Sequence, residues 1–258
     1  MKTTLITGGL GFIGSNICDA LLQKKYTNRC ILVDNFGGYM NPIKDNFTDF
    51  RKQRFPSLKN IIIERCDTSN YKALSSILNK YKPNYIYHTA ALPLAKVSNL
   101  NNEEAKISSV DSTVNIIDAI NLLKISKPKY QFDRFIYFSS SMVYGDFEKS
   151  AVTEESVKNP KDAYGIMKLA GEVVTEGLCK LHNIPYTIIR PSALYGERCI
   201  SRRVGQIFIE NVLNKKEIVI QGDGEEKLDF TYIDDLINGI ICVIKSKKAI
   251  NETFNLTY

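Results

Sequence analysis

The chain has 258 residues, 44% of them hydrophobic, which is enough for a sizeable core in one or two lobes. Its net charge of +6 is scattered rather than gathered into a stripe, which argues against nucleic acid and suits a solvated surface or an anionic substrate. Two histidines exclude a His-rich metal centre, and no apolar run reads as a signal peptide or a membrane span, the first run being broken by Gly8 and Gly9.

The first element is a short apolar strand over 2–7, followed by Thr7-Gly8-Gly9-Leu10-Gly11-Phe12-Ile13-Gly14. The glycines at 8, 11 and 14 have separate tasks. Gly8 turns the chain off the strand. Gly11 clears space for a pyrophosphate to approach backbone N–H groups, and Gly14 lets the next helix lie close on the sheet. That helix, over 12–25, points its positive N-terminal end at the pyrophosphate. A second buried strand, Cys30 to Asp34, ends in a carboxylate 20 positions after Gly14. An acid there accepts hydrogen bonds from the adenosine ribose and repels a 2′-phosphate, which points to NAD rather than NADP.

Further strands are expected over 60–64, 84–88, 133–139 and 185–190, and helices over 69–81, 103–126 and 162–183, with Ser69 as a cap. Short apolar runs alternating with helical patterns predict a doubly wound α/β fold with a parallel sheet covered on both faces. The polar, aromatic stretch from Phe36 to Pro56 reads as a connection carrying at most one short helix. The six cysteines (Cys18, Cys30, Cys66, Cys179, Cys199, Cys242) form no C-x-x-C pair and read as reduced core residues of a cytoplasmic protein.

Ligands of such sheets bind beyond the carboxyl ends of the strands. Asp67, with Thr68 beside it, follows the third strand and either bonds an adenine amino group or initiates a helix. The fourth strand ends in His88-Thr89-Ala90-Ala91, where small side chains let a cofactor pass. His88 itself reads as a packed strand-end residue. The fifth ends in Ser139-Ser140-Ser141-Met142-Val143-Tyr144-Gly145, where hydroxyls can bind a substrate oxygen or make a polar turn. Tyr164 and Lys168 stand four apart on a helix and share a face. An ammonium beside the phenol favours the phenolate, which makes Tyr164 a general-base candidate.

These segments, with Asn35, Arg190-Pro191-Ser192-Ala193-Leu194-Tyr195-Gly196 and the stretch from Gly222 to Asp235, resemble the extended short-chain dehydrogenase/reductase family, the NAD-dependent sugar-nucleotide epimerases and dehydratases. The resemblance implies a Rossmann-type core over 1–165. Residues 166–258 would interleave the remaining core elements with a smaller substrate lobe. It matches Ser140 to the catalytic Ser/Thr, Tyr164 to the base, and Lys168 to the lysine that also holds the nicotinamide ribose. It places Gly8, Gly11, Phe12, Ile13, Gly14, Asp34, Asn35, Asp67, Thr68, Ala90, Ala91, Tyr164, Lys168 and Pro191 around NAD. Around a nucleotide sugar it places Ser140, Ser141, Met142 and Ala193, and Arg202, Arg203 or Lys227 become the candidates for the diphosphate. No metal is expected. Dehydratases of this kind carry Asp and Glu directly after the catalytic Ser/Thr, where this chain has Ser141 and Met142, so a 4-epimerase is expected. The alternatives are a 4-dehydrogenase or 4-ketoreductase of a deoxysugar pathway, and a non-catalytic NAD sensor. Two departures concern the nucleotide: Ala193 where many epimerases have Asn, and Leu228 where Arg is usual. Family members commonly pair through a four-helix bundle, which implies a homodimer; Ile107, Val110, Val114, Ile117 and Ile120 either serve that or face the core. The chain stops as the Asn255-Leu256 strand finishes, so the substrate lobe is expected to lack part of its wall, with NAD bound well and sugar turned over weakly.

Overall fold

A computed structural model describes residues 2–37, 55, 59–92, 102–146, 151–197, 199, 204–220, 222–225 and 228–257. Seven parallel strands form the central sheet: β1 (Thr3–Thr7), β2 (Arg29–Asp34), β3 (Ile61–Arg65), β4 (Tyr85–His88), β5 (Arg134–Phe138), β6 (Tyr186–Pro191) and β9 (Glu252–Leu256). Their spatial order is β3-β2-β1-β4-β5-β6-β9. Every ladder is parallel, with Thr7 opposite both Val33 and His88, and Phe138 opposite Ile189. The strand order reverses between β1 and β4, and there the crevice beyond their carboxyl ends opens.

Strand alternation sorts the core into two layers. Leu5, Ile31, Ile86, Phe135, Tyr137 and Ile188 pack with Leu74, Ile117, Ile120 and Cys179 on one face. That face is covered by α2 (Tyr71–Tyr81), α4 (Ser112–Ser126) and α5 (Ala163–Leu181). Ile6, Leu32, Tyr87, Ile136, Phe138 and Ile189 pack with Ile17, Leu21, Leu236 and Ile240 on the other, covered by α1 (Phe12–Gln23) and α7 (Ile233–Lys245). Burial on both faces explains why the strands read as continuous apolar runs.

The expected strands and helices appear with shifts of at most two residues at their ends, and three local readings change. The cap of α2 is Asn70, whose Oδ1 accepts from Ala73 N at 3.1 Å; Ser69 instead donates its N–H and hydroxyl to Asp67. The helix expected over 103–126 is divided into α3 (Asn102–Lys106), a π turn (Ile107–Asp111) and α4. Ser112 and Thr113 hydroxyls donate to the carbonyls of Ser108 and Ser109 at 2.6 Å, which relieves the backbone where the π turn ends. Cys18, Cys30, Cys66 and Cys179 are buried as expected, but Cys199 is half-buried and Cys242 is exposed, so those two are not core residues.

Past Pro191 the chain adds β7 (Ala193–Tyr195), α6 (Val204–Leu213) and β8 (Phe230–Tyr232), none of them assigned from the sequence; β7 and β8 pair as a small parallel sheet. The connection from 38 to 54 lies outside the described residues.

Candidate active site

The ends of β1, β2, β4, β5 and β6 and the start of α1 surround one cleft of about 1040 Å³. At its centre Gly8 adopts φ +64°, and a Cβ there would lie 2.9 Å from Ala90 N; only glycine fits that turn between two strand ends. A Cβ on Gly14 would lie 2.5 Å from the Gly8 carbonyl, so the helix start presses on the turn. The N-terminus of α1 has no capping side chain, and Gly11 to Gly14 line the cleft. The first-turn N–H groups are therefore available to an anion.

At one end of the cleft, Asp34 accepts from Leu10 N at 3.1 Å and from Phe36 N at 2.9 Å. Asp67 takes Asn35 Nδ2 on one oxygen at 3.0 Å and the Ser69 N–H and hydroxyl on the other. Burial alone would raise the Asp67 pKa, but those hydrogen bonds outweigh it and hold the carboxyl below the usual range. Asp67 thus holds the turn ahead of Asn70, the residue that caps α2, and also lines the cleft.

The other end is built on β5 and α5. Ser140 Oγ accepts from Met142 N at 3.2 Å at the start of a 3₁₀ turn (Ser141–Val143), which fixes the hydroxyl at the cleft edge. A Cβ on Gly165 would lie 2.6 Å from the Met142 carbonyl; this close approach seats the helix bearing Tyr164 against the turn bearing Ser140. Asp162 caps that helix, accepting from Gly165 N at 2.7 Å. Lys168 is buried, with Nζ 2.6 Å from the Phe138 carbonyl and 5.7 Å from the centre of the Tyr164 ring. Burial pulls its pKa down to about 8, opposed by Glu172.

Behind the cleft, His88 is buried and bonded on both nitrogens, to Thr7 Oγ1 at 2.7 Å and Ser112 Oγ at 3.2 Å. Because Ser112 already donates to Ser108 O, His88 Nε2 is the donor and Nδ1 accepts from Thr7. Burial, with Lys168 adding to it, lowers its pKa to about 3. It is the packed strand-end residue read from the sequence.

Gly8, Gly11, Phe12, Ile13, Gly14, Asp34, Asn35, Asp67, Thr68, Ala90, Ala91, Tyr164, Lys168 and Pro191 all line this one cleft, as do Ser140, Ser141, Met142 and Ala193. Arg202, Arg203 and Lys227 lie outside the described residues. The structure adds lining residues that the sequence did not place at the site: Ile107, read as a dimer-face or core position, and Ser108 from the π turn, and Gln206, Ile209 and Phe230 from the small lobe.

The family model described as "NAD dependent epimerase/dehydratase family" matches residues 4–257. The chain is similar to a Bacillus subtilis (strain 168) protein named "Uncharacterized UDP-glucose epimerase YtcB", 30% identical over 255 residues, covering 98% of this chain and 75% of that protein. Among solved structures it is similar to UDP-glucuronic acid 4-epimerase from Bacillus cereus in complex with UDP-glucuronic acid and NAD, with 30% identity, a TM-score of 0.84, and 99% of this chain and 77% of that one covered. It is also similar to UDP-glucose 4-epimerase from Thermotoga maritima with UDP-glucose, with 26% identity, a TM-score of 0.83 and coverage of 99% and 76%.

Proposed function

Since this chain belongs to the NAD-dependent epimerase/dehydratase family, we propose that it is a nucleotide-sugar 4-epimerase. The observation that carries the reading is the meeting of the uncapped α1 turn, Asp34, Ser140, Tyr164 and Lys168 in one cleft. NAD, when bound, supplies the hydride acceptor and donor. The α1 N-terminus would hold its pyrophosphate, Asp34 its adenosine ribose, and Lys168 with Tyr164 its second ribose. Tyr164 takes the proton from the sugar 4-hydroxyl. Ser140 orients that oxygen, its hydroxyl held in place by the bond it accepts from Met142 N. The buried Lys168 ammonium favours the Tyr164 phenolate. Neither Ser141 nor Met142 can supply the acid and base that elimination of water needs, which supports epimerisation over dehydration. The similar 4-epimerases of B. cereus and T. maritima support the same reading.

Residues 1–165 would form the NAD core; the remainder joins its last strands to the sugar lobe, where Ala193 and Leu228 line the substrate side and Arg202, Arg203 or Lys227 take the diphosphate. A homodimer would pair α4 and α5 through their exposed Leu122, Ile125, Ile166 and Val173. Ile117 and Ile120 are committed to the core instead. Among the described residues no helix is long and apolar enough to cross a membrane, and the free cysteines suit a cytoplasmic role in polysaccharide precursor synthesis.

Incubation with a panel of nucleotide sugars, followed by NMR, tests the function. The expected result is interconversion of a 4-epimer pair with no net NADH. Accumulating NADH would favour the 4-dehydrogenase or 4-ketoreductase; tight NAD binding without turnover of any sugar would favour the sensor.

A further inference from the structure

We infer that the Ser139 hydroxyl is a contact for the nicotinamide-riboside end of the bound dinucleotide, an inference that rests on the cofactor reading above. Ser139 is only 3% exposed and lines the cleft, and its Oγ has no hydrogen-bond partner among the described residues. Buried hydroxyls are nearly always paired, so a buried unpaired one at the wall of a ligand cleft marks where a ligand's polar atom goes. Arg134 Nε and Thr175 Oγ1 are also unpaired, but neither residue lines the cleft.

The neighbouring polar groups are already committed. Ser139 N donates to Ile189 O at 2.8 Å, which fixes the residue in the ladder. The Phe138 carbonyl accepts from Lys168 Nζ, and Ser140 Oγ accepts from Met142 N. Strand alternation puts Ser139 on the side of Tyr137. Lys168 Nζ lies 5.4 Å from the Tyr137 ring centre, so this is the side on which α5 packs. The hydroxyl thus stands beside the residues assigned to the second ribose.

The strand order identifies which end of the dinucleotide arrives. From β2, which carries Asp34, to β5 there are three inter-strand steps through β1 and β4, about 14 Å in all. A dinucleotide with its adenosine ribose at Asp34 and its pyrophosphate on α1 lays its opposite end across β5, where Ser139 is found.

Titration calorimetry of the full chain with NAD and, separately, with ADP tests the inference. In Ser139→Ala, NAD affinity should fall roughly threefold to tenfold, the loss of one neutral hydrogen bond. ADP, which lacks the nicotinamide-riboside end, should bind as it does to the parent, which also reports that the fold is kept. Unchanged NAD affinity in the variant overturns the inference, and so does an equal loss for NAD and ADP. A parent chain that fails to bind NAD overturns the cofactor reading itself, and that failure is seen before any substitution is made.

Discussion

Arg190 and Glu172 form a doubly hydrogen-bonded ion pair, Nε to Oε1 at 2.8 Å and Nη2 to Oε2 at 2.7 Å, with both residues almost wholly buried. The same guanidinium donates to Tyr144 Oη at 2.7 Å and to the Glu154 carbonyl at 3.2 Å, and Tyr144 donates in turn to Asn255 Oδ1 at 2.7 Å. The end of β6, the middle of α5, the residue after the 3₁₀ turn and the end of β9 are thereby tied behind Ser140. Removing one partner of such a pair leaves the other charge buried without compensation. Glu172→Gln should therefore lower stability by about 3 kcal/mol, a fall in Tm of about 6–12 °C for a chain this size. Thermal denaturation followed by circular dichroism checks this; an unchanged Tm would mean that the pair does not hold the fold.

Tyr164→Phe removes the proposed base while leaving the α5 helix, its Asp162 cap and Lys168 in place. Turnover should fall by a factor of about 10²–10⁴, with NAD affinity changed little. Steady-state kinetics beside NAD titration separates the two effects, and near-parental turnover would reject the assignment.

Asp34→Ala should erode the preference for NAD over NADP by about tenfold or more, since a carboxylate close to a 2′-phosphate repels it. The same change strips the acceptor from Leu10 N and Phe36 N, so stability should also drop by about 1 kcal/mol. Parallel titration of both dinucleotides decides: an intact preference would make Asp34 a turn residue only.

His88 carries a prediction about acid. Its folded pKa of about 3 lies below the ordinary histidine value of 6.5, because burial and then Lys168 oppose the imidazolium. As pH falls below about 6.5 the unfolded chain takes up a proton that the folded chain refuses, so stability is lost down to about pH 3. Between about pH 7 and about pH 4 this one residue should cost about 3 kcal/mol. Urea denaturation of His88→Asn at both values should show a correspondingly smaller loss than the parent; an equal loss would refute the linkage.

The residue pattern by itself determined the alternation of strand and helix through Pro191, the glycine turn from Gly8 to Gly14, the acid at Asp34, and the pairing of Tyr164 with Lys168. Each depends on near neighbours: strand burial, glycine sterics, or the i,i+4 geometry of a helix. The stripe of Ile233, Leu236, Ile237, Ile240 and Ile241 was equally open to such reading and went unassigned, whereas β7 and β8, three residues each, carry too little periodicity to read. Only the tertiary structure decided that Asn70 rather than Ser69 caps α2, that a π turn interrupts the helix before α4, that Arg190 finds Glu172, and that the Ser139 hydroxyl is left unpaired at the cleft among the described residues. Capping turns on the dihedral angles of single residues. The buried pair and the unpaired hydroxyl turn on which strand ends lie side by side, and the order β2-β1-β4-β5-β6 is set by packing between segments far apart in the chain.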